Sequence, residues 1–426
     1  MRFLYTLTLM LMLPLILARL IWRSFRQRGY RENIGERFGL QSKPALKNCI
    51  WIHAVSVGEA RAAEPLIRRL MVVHPEHSIL LTSMTPTGRA TAVELFGDAV
   101  TSTYLPYDFV ALHQRLIEHF RPVLLLVMET EIWPNLFHTC RRNQIPAQLI
   151  NARMSEKSAR GYMRFAFTRA LARQALQTLR VVAAQSEADA DRFRMIGAKE
   201  VFVTGNIKFD VNLDSEMLQL GKQWRAAASG RRILLCASTR EGEESLLLAA
   251  YAQVFNASER LETLFVIVPR HPQRFDLVAN EVHGTALRCS RRSRTMPGAT
   301  YEPSEVLLGD SMGEMTAYYA FCDIAIIGGS FLPLGGQNLI EACAVGRPVI
   351  MGPSTFNFSE AARLAVDAGA MVPVENALEA MRTSQRLLRD HEAQKTMAAA
   401  GLKLVAANRG ATMKTMMFID AALGVS

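Results

Sequence analysis

The sequence predicts an α/β protein of two domains, each a parallel sheet covered by helices on both faces. Three observations predict it. Short apolar runs alternate with amphipathic helical patterns from Cys49 to about Asp214, as parallel strands require, because each crossover between them is usually a helix. A second series of the same kind begins at Arg232 and continues to Met351. At 426 residues the chain is long enough for two cores of ordinary size.

The chain starts with a stretch that belongs to neither sheet. Residues 3–22 are almost wholly apolar, interrupted by Pro14 and Arg19 and followed by Arg23, Arg26, Arg28 and Arg31. Its length borders on one bilayer span. An uncleaved anchor suits the arginine cluster, which would hold the rest of the chain on the cytoplasmic side. A shallow, half-inserted helix is the competing reading, given Pro14 and Arg19. The charged segment 30–39 that follows is expected to be solvated.

In the first domain, strands are expected at 50–53, 78–82, 123–127, 148–150, 181–184 and 201–203. One helix should start after His53 and run to about Val73, and another should start at Pro86, a residue suited to a first helical position. Strands of the second domain are expected at 232–237, 264–268, 306–308, 324–327 and 348–351. The predicted boundaries are therefore 1–28 for the anchor and its basic flank, 29–217 for the first domain, 218–229 for a linker, 230–405 for the second domain and 406–426 for a terminal helix.

A formal net charge of +10 favours anionic partners. Nucleic acid ranks last among them, because no basic run is interleaved with aromatics and no nucleic-acid-binding signature is visible. The six cysteines lack CxxC spacing and read as buried thiols of a reducing compartment. No tandem repeat or low-complexity tract interrupts the pattern.

Ligands of open α/β sheets bind at the carboxyl ends of the strands. In the first domain those positions hold Glu59, Glu129, Glu131, Asn151, Arg153, Ser186 and Lys208. Glu59 follows Gly58 at a helix start, where backbone amides favour the ionised form; by itself it could be only a complement to the helix dipole. Glu129 and Glu131 are harder to excuse structurally, since carboxylates at a sheet's end are costly to bury without partners. In the second domain, Pro269 and Arg270 follow one strand and the run Asp310 to Glu314 another. The run from Gly328 to Phe358 follows a third, with Gly335 and Gly336 read as clearing backbone for a ligand and Asn338 as the cap of a short helix carrying Glu341. A glycine-rich turn without a ligand is the bland alternative. No Asp-x-Asp follows a strand and no His/Cys cluster has ligand spacing, so no metal and no cofactor are expected. Asp189-Ala190-Asp191 lies in a helical pattern and reads as a solvated face.

Nine strings, in this order, carry a resemblance: RENIGERFG (31–39), HAVSVGE (53–59), METEIWPN (128–135), NARMS (151–155), GNIKFD (205–210), ASTREGEE (237–244), PRHP (269–272), GDSMGE (309–314) and GGQNLIEACAVGRPVIMGPSTFNF (335–358). Together they resemble the bacterial 3-deoxy-D-manno-octulosonic acid (Kdo) transferases of the GT-B glycosyltransferase class. Gln337, Ser354 and Arg240 stand where that family has histidines.

The resemblance implies two Rossmann-like domains facing a central cleft, with a last helix at 412–423 crossing back to the first domain. It implies inverting, metal-independent transfer of Kdo from CMP-Kdo to a lipid A precursor at the cytoplasmic face of the inner membrane, in lipopolysaccharide synthesis. Glu59 is then the general base and Glu129 an orienting group. Lys208 becomes a charge partner for the leaving phosphate or the Kdo carboxylate, and Ser56, Gly58, Glu131 and Arg153 fall on the acceptor side. The donor falls to Pro269, Arg270, Met312, Gly313, Glu314, Asn338, Leu339, Ile340 and Glu341, and segment 31–39 faces the lipid. Two other readings remain: a GT-B enzyme using another nucleotide sugar, and a non-catalytic, membrane-tethered nucleotide-sugar-binding module.

Overall fold

The computed structural model describes all residues except 27, 229, 286, 295–303 and 425–426. The chain forms two compact units, one of Met1–Asp210 with Arg409–Ser426 and one of Val211–Asn408.

In the first unit the strands are β1 (Cys49–His53), β2 (Ile79–Ser83), β3 (Thr101–Tyr104), β4 (Pro122–Met128), β5 (Ala147–Ala152), β6 (Val181–Ala184) and β7 (Val201–Val203). They form one sheet in the order β3-β2-β1-β4-β5-β6-β7, every neighbouring pair parallel. Strand order reverses between β1 and β4, where His53 pairs with Val127, and a reversal of this kind opens a crevice at the strands' carboxyl ends. The helices are α1 (Arg2–Arg26), α2 (Val57–Val73), α3 (Pro86–Phe96), α4 (Val110–Phe120), α5 (Pro134–Arg142), α6 (Glu156–Arg164), α7 (Ala166–Leu176) and α8 (Glu187–Ile196).

The second unit repeats the plan. Its strands are β8 (Arg232–Thr239), β9 (Thr263–Pro269), β10 (Cys289–Arg291), β11 (Val306–Leu308), β12 (Ile324–Ile327), β13 (Val349–Met351) and β14 (Met371–Pro373). They lie in the order β10-β11-β9-β8-β12-β13-β14, again all parallel, with the reversal between β8 and β12. Of the six cysteines, five are buried and Cys289, on the edge strand β10, is half-buried.

Several expectations are corrected. Segment 30–39 is solvated only in part: residues 31–34 are exposed, but Glu36 and Arg37 are 1% and 2% exposed. The Glu36 carboxylate accepts from Arg89 Nη1 at 2.7 Å, the Tyr104 amide at 3.0 Å and the Ser42 hydroxyl at 2.8 Å. Arg37 lies over the Tyr104 ring at 4.0 Å and donates to the Met84 carbonyl, so the burial of both charges is compensated by partners. Asp189 is likewise buried, accepting from the Met154 amide at 2.8 Å, whereas Asp191 faces solvent.

The stretch expected as a linker, 218–229, is largely helix. Ser215–Ala227 begins on Asp214, whose side chain accepts from the Glu216 and Met217 amides, and it packs within the second unit against the helix Met315–Phe321. The approach is close because of Gly221: a Cβ there would lie 2.3 Å from the Ala317 carbonyl oxygen and 2.6 Å from Ala320 Cβ. The obstacle is backbone, which cannot rotate away. Gly221→Ala is therefore expected to destabilise the second unit by about 1–3 kcal/mol despite alanine's better helix propensity, read as a lower urea midpoint at unchanged slope.

Helix Ala411–Leu423 lies in the first unit. Asp210 accepts from the Gly410 and Thr412 amides at 2.6 and 2.5 Å, and Met416 and Ile419 join the apolar cluster around Ile50, Ile52 and Leu66.

Candidate active site

Both acidic motifs of the first unit follow the two strands that flank its reversal. After β1, Ser56 caps α2, accepting from the Glu59 amide. In return the Glu59 carboxylate accepts from the Val55 amide at 2.8 Å and the Ser56 hydroxyl at 3.0 Å, a reciprocal capping arrangement that fixes the side chain's rotamer. After β4 the chain turns sharply at Glu129, whose φ is +57°, a left-handed conformation that non-glycine residues seldom adopt without a compensating reason. Its amide donates to the Ile150 carbonyl at 3.0 Å, and its carbonyl accepts from the Arg153 amide at 3.4 Å.

That turn carries the Glu129 carboxylate to 3.2 Å from Lys208 Nζ, both side chains being about one-fifth exposed. Lys208 sits in the turn Ile207–Phe209, capped by Asn206 and tied back through the Ile207 amide to Asn151 Oδ1 at 3.1 Å. Asn151 is itself at φ +48°. Two strained strand ends thus position one ion pair.

The charge state of Glu59 differs from the expectation. Amides at the start of α2 were expected to keep it ionised, but burial pushes its carboxyl up to about 8, with Glu129 and Glu131 adding like-charge repulsion that outweighs the Val55 and Ser56 hydrogen bonds. Burial also pushes the Glu131 carboxyl up, with Glu129 adding to it and the Trp133 side chain opposing. The unit therefore holds a carboxyl that burial makes costly to ionise, near a second carboxylate that is ion-paired with Lys208. Of the predicted residues, Glu59, Glu129, Glu131, Lys208 and Ser56 share this region. Gly58 lies in the first turn of α2, and Arg153 is tied to Glu129 through its backbone.

In the second unit the residues following β8 and β12 are joined by Glu243, which the sequence reading left without a role. It is fully buried, accepting from the Gly329 amide at 2.6 Å, the Phe331 amide at 2.9 Å and the Arg240 amide at 2.9 Å. An acidic residue just after the left-handed Gly242, at the first position of a helix, was the available signal. Arg270 follows β9, its amide donating to the Thr239 carbonyl at 2.9 Å, and Pro269 is the last, buried residue of that strand. Glu314 accepts from Ser311 Oγ and from Arg292 at 3.0 Å; Met312 is 57% exposed, and Gly313 turns at φ +80°.

Asn338 is not the cap residue. The helix is Ile340–Ala344 with Leu339 at the cap position, and Asn338 reaches forward, accepting from the Ile340 amide at 2.9 Å and donating to Glu341 at 2.8 Å. Leu339 and Ile340 are each 1% exposed, so their side chains are core. Gly335 and Gly336 carry constraints besides the one expected: both turn in the left-handed region, at φ +88° and +71°. A Cβ on Gly335 would meet Asn357 and Phe356 at 2.5 Å, and one on Gly336 would meet Met351 Cε at 2.4 Å. These glycines let two loops of the unit pack together. Ser354 accepts from the Gly335 amide at 2.9 Å and so holds the same junction.

Comparison with known proteins bears on both units. A glycosyltransferase N-terminal family model, described as 3-Deoxy-D-manno-octulosonic-acid transferase (kdotransferase), matches residues 32–211. The 3-deoxy-D-manno-octulosonic acid transferase of Bordetella pertussis is 40% identical, over 99% of this chain and 99% of that one. The chain belongs to the Kdo transferase family. The Haemophilus influenzae transferase is 36% identical over 97% of each chain. Among solved structures, a glycosyltransferase from Rickettsia africae superimposes with a TM-score of 0.52 at 13% identity, covering 90% of this chain and 100% of that one. UDP-GlcNAc 2-epimerase from Neisseria meningitidis gives 0.54 at 16%, covering 88% and 100%. These neighbours share the GT-B fold of this Kdo transferase family member, a glycosyltransferase in which, among the described residues, one helix, Arg2–Phe25, is long and apolar enough to cross a membrane.

Proposed function

We propose that this transferase moves Kdo from CMP-Kdo to a hydroxyl of a lipid A precursor, with inversion and without a metal, at the cytoplasmic face of the inner membrane. The observation that carries this reading is the half-buried Glu59 carboxyl past the end of β1, clamped by two donors, which burial and the nearby Glu129 push up to about 8. Glu59 accepts the proton of the acceptor hydroxyl as its oxygen forms a bond to the anomeric carbon of Kdo. The bond from that carbon to the phosphate oxygen breaks, and its electron pair leaves with CMP. Lys208, held by Glu129, supplies positive charge to the Kdo carboxylate or the departing phosphate; Arg270, the turn of Met312, Gly313 and Glu314, and the Asn338–Glu341 pair hold the donor. Ser56, Gly58, Glu131 and Arg153 belong to the acceptor side.

Mass spectrometry of the product formed from CMP-Kdo and a tetra-acylated lipid A precursor tests the reaction. Absence of any Kdo adduct with a folded enzyme overturns it. Donor identity is tested separately, because a ligand of the folded state stabilises it by about 2.7 kcal/mol at one hundred times its Kd. CMP is expected to raise the melting temperature and UDP to leave it unchanged; the reverse would favour another nucleotide sugar.

The base must be ionised to act, so kcat/KM should rise with pH through a group near 8, the value to which Glu59 is pushed. Glu129 contributes to that elevation. In Glu129→Gln, the acid limb is therefore expected to move to lower pH, whatever happens to the absolute rate. A limb that stays put, or moves up, contradicts the assignment of Glu59 as the titrating base.

A further inference from the structure

The transferase's N-terminal helix meets the requirement for a membrane span in length and composition, yet its contacts are those of a helix lying on the first unit. At its start, Arg2 and Thr6 each approach Asn135 Oδ1 to 3.2 Å, and the Tyr5 hydroxyl donates to Asp108 at 2.9 Å. Asp108 is buried and also holds His113 and the Asn135 and Leu136 amides. One turn further on, Thr6 and Met10 line a groove with Val110, Gln114 and Arg142 of α4 and α5. At its end, Leu20 and Ser24 are buried, and the Ser24 carbonyl accepts from Arg31 at 3.0 Å. The chain then returns to the unit at Gly29, whose carbonyl accepts from the Tyr104 hydroxyl at 3.5 Å.

From Tyr5 to Ser24 the less exposed positions are Tyr5, Thr6, Leu9, Leu13, Ile16, Leu17, Leu20, Arg23 and Ser24, the three- and four-residue spacing of one helix face. On the opposite face, Phe3, Leu11, Leu15, Ile21, Trp22 and Phe25 are 54–77% exposed. A helix crossing the bilayer would carry Arg2 and Tyr5 about 30 Å or more from the side on which it leaves, so it could not keep both ends on one unit.

We propose that α1 does not cross the membrane but lies in the plane of one leaflet, its inner face on the first unit and its outer, apolar face among the lipid chains. This rests on the membrane location proposed above and specifies its geometry. Neighbouring helices supply the charge such a surface needs. α5 contacts α1 and α7, and α7 contacts α6; Tyr162 on α6 is close enough to Tyr5 for their phenols to interact electrostatically. On α6 and α7, Lys157, Arg160, Arg164 and Arg169 are exposed, outnumbering Glu156, which lies 3.6 Å from Arg160, with Phe165, 58% exposed, among them. An apolar ridge beside a cationic and aromatic face is complementary to a leaflet of anionic phospholipid.

The test uses the full chain in its membrane. Phe3→Cys, in intact spheroplasts, is expected to resist a membrane-impermeant maleimide and to react only once detergent dissolves the membrane, with the unaltered chain as background. Met10→Cys with Gln114→Cys, two positions lining one groove, should be bridged by a short bismaleimide in the same membranes. Labelling of Phe3→Cys from outside together with no bridging overturns the in-plane arrangement while leaving membrane attachment intact. Reversing Arg160, Arg164 and Arg169 to glutamate is expected to weaken binding to vesicles of phosphatidylethanolamine and phosphatidylglycerol by about 100-fold or more, at about a factor of five per cation lost. Binding to phosphatidylcholine vesicles should be unaffected. If the purified chain self-associates through α1 and fails to sediment with either vesicle, the membrane reading and this inference fall together.

Discussion

Replacing Glu59 by glutamine is expected to lower turnover by about 100- to 10,000-fold, the range over which a positioned general base acts. Glutamine can still accept from the Val55 amide through its carbonyl oxygen, while its NH2 group donates to the Ser56 hydroxyl oxygen, so the turn before α2 should keep its shape. What disappears is the group that takes the proton. Burial, with Glu129 adding to it, raises the Glu59 carboxyl above its unfolded value, so at pH 7 folding must protonate it at a cost in stability; glutamine removes that cost, so the variant should melt no lower than the parent at pH 7 and should bind CMP as before. Steady-state transfer, a melting curve and CMP protection check all three. Near-normal turnover in a folded, CMP-binding Glu59→Gln protein would remove Glu59 from the chemistry.

Glu36→Ala is expected to destabilise the first unit by about 3–5 kcal/mol, because breaking a buried ion pair leaves an uncompensated charge. Arg89 loses a two-pronged partner at 2.7 and 3.2 Å while its side chain is only 13% exposed, and the Tyr104 amide loses its acceptor. For a unit of this size that corresponds to a fall of about 6–20 °C in melting temperature. Glu36→Gln should fall between, since one oxygen can still receive a donor. Calorimetry separates this from a catalytic role: a large loss of activity without a change in melting would mean that Glu36 serves the substrate rather than the fold.

The segment containing Glu36 shows where sequence reading reached its limit. Its density of charges argues for solvent, and only the positions of Arg89, Tyr104 and Ser42, 6 to 68 residues away, convert the carboxylate into a buried junction. The unrecognised strands have a related cause. β3, β10 and β14 are outermost strands of their sheets; TSTY and CSR lack the unbroken apolar run that strands buried on both faces display, and MVP is short and ends in a proline, which argues against a strand except at a sheet edge. The interior strands were legible because both of their faces must be apolar.

The sequence by itself determined two parallel sheets, their approximate strand positions, the acidic residues at the strand ends of the first unit and the family resemblance, all carried by local pattern and by ordered motifs. Tertiary structure alone decided the upward push on the Glu59 carboxyl, the pairing of Glu129 with Lys208, the hydrogen bonds of Glu243 and the close packing around Gly335 and Gly336. Each of those depends on burial and on partners distant along the chain: a carboxyl's charge follows the dielectric and the charges around it, and neither is encoded within one turn or one strand of its own sequence.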